Sequence, residues 1–104
     1  LDEIMYFERN IRVTYIVTKN GRYVIDEKIR EIEQKILSDD FMRCHTSFLV
    51  NFSYVKECMK KRLVLEDGQI IDISRSYWGS VEKAYVQWGE KNIILVKSIK
   101  AQKA

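Results

Sequence analysis

The feature that most constrains the fold is a change of hydrophobic period. From Ile11 to Thr18 every second residue is apolar, with Ile11, Val13, Tyr15 and Val17 on one side and Arg12, Thr14 and Thr18 on the other. That alternation specifies a strand with one buried face. Lys19-Asn20-Gly21 follows as a hairpin signal, because Asn-Gly tolerates the positive φ angles of tight turns, and Arg22 to Ile25 returns as the next strand. The spacing then switches: Ile25, Ile29, Ile32 and Ile36 step by four, three and four, with Arg30, Glu31, Glu33, Gln34 and Lys35 on the other faces. The pattern predicts an amphipathic helix of about three turns, N-capped by Asp26, whose apolar stripe covers a sheet.

The flanking segments extend this plan. Ile4 to Glu8 reads as the first strand and Glu8-Arg9-Asn10 as the turn after it. Beyond the helix come strand-like runs over Phe48 to Val50, reaching towards Tyr54 to Met59, then Arg62 to Leu65 and Gln69 to Ile73, the last two joined by a tight Asp67-Gly68 turn. Tyr77, Val81, Tyr85 and Trp88 return to helical spacing, although Gly79 disfavours a helix by about 1 kcal/mol relative to Ala. Asn92 to Ile99 reads as an apolar strand or a last helix-like segment before a Lys-rich end.

A chain of 104 residues without a Pro-rich or Ser-rich linker has room for one domain, which buries roughly 65 % of its unfolded surface. Apolar residues make up 46 % and charged residues 32 %, the balance of a folded protein. No apolar run approaches the roughly 20 residues that cross a bilayer, and no secretion signal opens the chain, so a cytoplasmic protein is expected. The chain opens on Leu1 with strand-like residues close behind, as expected of a segment of a longer polypeptide. Cys44 and Cys58 lie in neither a Cys-x-x-Cys nor a metal-ligand spacing and read as reduced structural thiols.

The net charge of +3 names no partner, but its distribution is uneven. Asp26 to Asp40 holds six acids and three bases, whereas Phe41 to Arg62 holds one acid, Glu57, against Arg43, Lys56, Lys60, Lys61 and Arg62. Within the basic half, FMRCHTSFLVN (Phe41 to Asn51) sets Arg-Cys-His-Thr-Ser against an apolar run, reading as a short recognition connection pinned at both ends. IDISRSYW (Ile71 to Trp78) repeats that arrangement with Ser-Arg-Ser before two aromatics. The two clusters imply one composite surface.

Taken in order, IMYFERNIRV, the Asn-Gly hairpin, the Ile-spaced helix, FMRCHTSFLVN, a basic strand, LVLEDG and IDISRSYW resemble the LytTR family of DNA-binding output domains of bacterial response regulators. The resemblance is strongest over residues 3–88 and leaves 89–104 as an unassigned C-terminal extension of a single domain. It implies a mainly β fold of several small antiparallel sheets with one or two short helices, and duplex recognition by loops in successive major grooves. It implies base contacts from Arg9, Asn10 and Arg12 in the first turn, from His45 and Thr46 after the helix, and from Arg75 after the last hairpin. Arg43, Ser47 and Ser74 accompany them as phosphate contacts. Thr46 occupies a position of varied identity among similar sequences, and can hydrogen-bond or touch a thymine methyl but cannot grip adenine in two places as Asn does. Double-stranded promoter DNA with paired repeats, occupied by a dimer, is the implied partner, with a receiver or sensor domain upstream. No cofactor or metal is implied.

The residue chemistry points the same way. Arg75, between an apolar strand and Tyr77-Trp78, carries the planar fork that matches O6 and N7 of guanine. Lys56, Lys60, Lys61 and Arg62 suit phosphates, which need charge more than direction. The bland alternatives are a structural hydrogen bond for His45, a turn or cap for Asn51, a solvated helix end for Asp39 and Asp40, ordinary surface charge for Arg9 and Arg12, and core packing for Trp78, Tyr85 and Trp88. Adjacent Cys44 and His45 would point to opposite faces of an extended chain, against a catalytic dyad. An RNA-binding, single-strand-binding or protein-interaction β domain is the alternative class, and needs aromatics or an apolar groove on the outside. An enzyme needs convergent titratable groups, which the sequence does not present.

Overall fold

The computed structural model describes residues 2–103, with side chains through Lys91. Eight strands form two antiparallel sheets. The first contains β1 (Ile4–Asn10), β2 (Val13–Thr18), β3 (Gly21–Ile25), β4 (Phe41–His45) and β5 (Phe48–Asn51) in the order β3-β2-β1-β5-β4. The second is the meander β6 (Val55–Cys58), β7 (Arg62–Leu65) and β8 (Ile70–Asp72). Helix α1 (Ile29–Lys35) joins β3 to β4, and α2 (Trp78–Lys103) follows β8 through a 3-10 turn at Arg75–Tyr77. The fold is mainly β in two small antiparallel sheets, as the resemblance implies, but α2, at 26 residues, is longer than the short helices expected.

The central strands of the five-stranded sheet are buried on both faces, whereas the edge strand β3 is largely exposed. Phe7 and Leu49, paired across β1 and β5, pack with Ile29 and Ile32 of α1. Their neighbours Tyr6 and Val50 face the other way, into a core shared with Phe52, Val55, Leu63, Leu65, Ile71, Ile73 and Val81. A bulge in β1, where Ile4 pairs with Thr18 and Tyr6 with Val17, leaves Met5 as the extra residue and turns Met5 and Tyr6 towards the same core. With both faces covered, strict alternation fails in β2. Tyr15 and Val17 pack on one side and Ile16 on the α1 side, while Thr14 is fully buried.

Several boundaries differ from the sequence reading. β1 continues to Asn10, so the turn falls on Ile11 and Arg12, and Ile11 is 89 % exposed instead of joining the inward set. Ile25 stays in β3, and α1 is two turns long, starting after Lys28, whose N–H donates to Glu31 Oε1 at 3.1 Å, and not after Asp26. The β2–β3 turn uses Lys19 and Asn20, with Gly21 taking the positive φ of 147° as the first residue of β3. FMRCHTSFLVN is no irregular connection: it is the β4–β5 hairpin with a two-residue turn at Thr46-Ser47. The run from Phe48 towards Met59 is broken by a 3-10 turn at Phe52–Tyr54, for which Asn51 Oδ1 accepts from Ser53 N at 2.9 Å, as a capping residue should. The Asp67-Gly68 turn joins β7 to β8 as expected, with Gly68 at φ 90°. Asn92 to Ile99 continues α2 and forms no strand.

Helix α2 docks by its aromatics. Phe52 meets Tyr85 and Trp88 with ring centroids 5.3 and 5.9 Å apart, and Trp88 Nε1 donates to Asp40 Oδ1 at 2.8 Å. Asp40 is therefore an anchor for α2, because the turn after α1 lies against it, and its C=O also accepts from Phe52 N at 2.7 Å. Asp39 does stay in solvent, paired with Lys91 at 3.0 Å. Phe52→Ala is expected to lower stability by about 3–5 kcal/mol, the usual range for deleting a buried aromatic. Urea unfolding checks this through a lower midpoint at an unchanged slope.

Candidate nucleic-acid interface

The β4–β5 hairpin is built by its own arginine. Arg43 Nε donates to His45 O at 2.8 Å and Nη2 to Thr46 O at 2.7 Å, while Nη1 donates to Glu33 Oε1 of α1 at 3.1 Å. The planar fork thus holds the turn's backbone and ties it to the helix. Ser47 N donates to His45 Nδ1 at 3.0 Å, so a neutral ring carries its proton on Nε2. Phe48 supports that ring edge-on, with centroids 5.5 Å apart. Thr46 projects from the tip, exposed.

Two main-chain bonds gather the other predicted turns around this hairpin. Arg9 N donates to Ser47 O at 2.8 Å, setting the β1–β2 turn beside it. Ser74 N donates to Cys44 O at 2.9 Å, bringing in the segment after β8. The second bond depends on a bulge: Arg43 pairs with Leu49 and His45 with Phe48, leaving Cys44 as an extra residue whose carbonyl serves Ser74.

In the β1–β2 turn the side chains divide. Arg9 is turned back, with Nη1 donating to Thr14 Oγ1 at 2.8 Å and to Glu27 O at 3.4 Å. Asn10, Ile11 and Arg12 form the exposed tip.

The third turn concentrates positive charge. Ile73 N donates to Lys61 O at 2.9 Å and Ile73 O accepts from Trp78 Nε1 at 2.8 Å, which fixes the β6–β7 bend against the start of α2. Lys60 Nζ, Lys61 Nζ and the Arg75 guanidinium lie 5.5, 5.4 and 5.9 Å from the Trp78 ring centre. An indole face attracts cations, so Trp78 gathers three charges that would otherwise repel. Sequence spacing assigned Trp78 to the core alone; it packs against the core and also serves as this platform. The signal was present as Lys60-Lys61 and Arg75-x-x-Trp78, but only the Lys61–Ile73 bond brings the two together. Lys56 and Arg62 are exposed on β6 and β7, and the bonds joining the turns do not include them.

Cys44 and Cys58 are both free thiols. Burial pushes the Cys44 thiol up to about 12, leaving it a neutral core group behind the hairpin.

The chain is similar in sequence and in fold to known proteins. The family model for the LytTr DNA-binding domain matches residues 1–85. Sensory transduction protein LytT of Bacillus subtilis is 33 % identical over 73 residues, 65 % of this chain and 30 % of LytT. Transcriptional regulatory protein YpdB of Escherichia coli K12 is 33 % identical over 57 residues, 55 % of this chain and 23 % of YpdB. The heme-containing CO-sensing transcriptional regulator RcoM 2 of Paraburkholderia xenovorans is 30 % identical over 82 residues, 73 % of this chain and 31 % of RcoM 2. Among solved structures, the LytTr DNA-binding domain of a putative methyl-accepting/DNA response regulator from Bacillus cereus superposes with a TM-score of 0.73 at 26 % identity, covering 80 % of this chain and 81 % of that one. The chain belongs to the LytTR DNA-binding domain family, and its matches span under a third of the length of these curated relatives.

Labelling with a thiol reagent at pH 8 is expected to modify Cys44 only at the rate of global unfolding, well behind half-buried Cys58. Equal native-state rates for the two thiols would contradict the closed hairpin seat.

Proposed function

We propose that the domain binds double-stranded promoter DNA sequence-specifically, laying its turns into successive major grooves as the output module of a bacterial transcriptional regulator. The observation that carries this reading is the pair of main-chain bonds, Arg9 N to Ser47 O and Ser74 N to Cys44 O, which couples three polar turns through one hairpin. His45 through Nε2–H, Thr46, Asn10, Arg12 and Arg75 are the base-edge candidates, since each can offer a polar group outward. Lys60 and Lys61, beside Arg75 on Trp78, suit the flanking phosphates, with Ser47, Ser74, Lys56 and Arg62 as further backbone contacts. Arg43 and Arg9 act here by positioning, because their donors are engaged by His45, Thr46 and Glu33 and by Thr14 and Glu27.

Relatives named as a sensory transduction protein, a transcriptional regulatory protein and a heme-containing CO sensor support an output domain that works with different sensory partners. For this chain we place a receiver or sensor domain upstream, in the cytoplasm, with two copies on paired repeats. No helix among the described residues is long and apolar enough to cross a membrane. The inward packing of Tyr85 and Trp88 on Phe52 disfavours the single-strand alternative, which needs those rings as stacking platforms.

In duplex-binding titrations, Arg75→Ala is expected to flatten discrimination between a selected site and a scrambled duplex, by the roughly 1–3 kcal/mol of a bidentate base contact. Lys61→Ala should weaken both duplexes equally and reduce the salt slope by about 1. Retained discrimination in Arg75→Ala would remove that residue from base readout.

A further inference from the structure

Ile11 stands almost wholly outside the packed core. It occupies the first central position of the two-residue β1–β2 turn, between paired Asn10 and Val13, at φ 56°, and it is 89 % exposed. Positive φ at that position of a hairpin turn favours Gly, and for a β-branched residue it is a strained outlier. Among the described residues it is the one non-glycine with positive φ. The turn therefore carries a large apolar side chain in an unfavourable backbone conformation with almost no burial in return.

The surroundings specify what would cover it. Asn10 precedes it and Arg12 follows, both exposed, and the Arg9 N–Ser47 O bond fixes this tip beside the Thr46 turn. The strand leading to the tip is pinned by Arg9 on Thr14 and Glu27, so the tip meets a partner preorganised. An apolar group flanked by an amide and a guanidinium matches the major-groove edge of A·T-containing steps, where the thymine methyl lies beside the adenine N6 and N7 groups that an Asn amide can bind.

We propose that Ile11 is a specificity residue that reads a thymine methyl group, with Asn10 addressing adenine next to it. This rests on the duplex-binding reading above and goes beyond it by assigning the base class and chemical group read at the first turn. The strain in the turn is offset on DNA, where the isoleucine side chain leaves water against the methyl.

The test starts from a pool of randomised duplexes, from which the wild-type chain selects its preferred site. Each thymidine of that site is then replaced singly by deoxyuridine, which removes only the C5 methyl, and Kd is measured for wild type and for Ile11→Asn. Asn accepts the left-handed backbone, so the variant is expected to fold at least as stably as wild type, which thermal unfolding verifies. The expected result is one thymine at which wild type loses affinity roughly fourfold on losing a methyl, the size of one buried CH₂-equivalent, and Ile11→Asn loses nothing. Uracil penalties that are the same in both proteins, or a selected site without thymine, would overturn the assignment of Ile11 while leaving duplex binding in place. A pool that yields no enriched duplex would overturn the duplex-binding reading and this inference with it.

Discussion

Two main-chain hydrogen bonds, from Arg9 to Ser47 and from Ser74 to Cys44, determine how the rest of the surface is arranged. Each joins segments far apart in sequence through groups that every non-proline residue possesses, so the relation among the turns does not depend on the side chains they display. The first is made where β1 lies beside β5, and the second depends on the extra residue at Cys44.

The layered core keeps these bonds in place. The centre of the five-stranded sheet is covered by α1 on one face and by the second sheet with α2 on the other, while the edge strand β3 and the turns at the strand ends stay open to solvent. Arg43 links hairpin to helix, Trp78 links the β6–β7 bend to the start of α2, and Trp88 with Asp40 holds α2 against the turn after α1. Rigid elements bordering every exposed turn are what a recognition surface built from short loops requires.

Much of this was legible in the sequence, for identifiable reasons. The strands at Arg62–Leu65 and around Ile70–Asp72 and the Asp67-Gly68 turn follow from alternation and turn chemistry. The Ile spacing reveals the helix but overextends it, since Ile25 belongs to β3 and happens to keep helical spacing with Ile29. Alternation places the β1–β2 turn too early and Ile11 inside, because a strand running into a tight turn and another running out give one unbroken alternation. Thr14 looked solvent-facing because periodicity cannot register that a hydroxyl is buried beneath its own strand partner, Arg9. The acceptors that Arg43 engages, two carbonyl oxygens and Glu33, are not legible in the sequence, which shows a charge but not its partners. The components of the Trp78 platform are visible in the sequence but their meeting is not, because it is assembled across the second sheet, between residues separated by a full hairpin.

Arg43 grasps oxygen atoms of the peptide chain at positions 45 and 46, leaving the Thr46 side chain outside its grip. The tip's path through space is thereby uncoupled from the chemical identity of the residue displayed there. Replacing Thr46 by a longer or more polar amino acid changes the lettering on the key without recutting its shaft, so new binding preferences can arise at this position by single codon changes that leave folding intact.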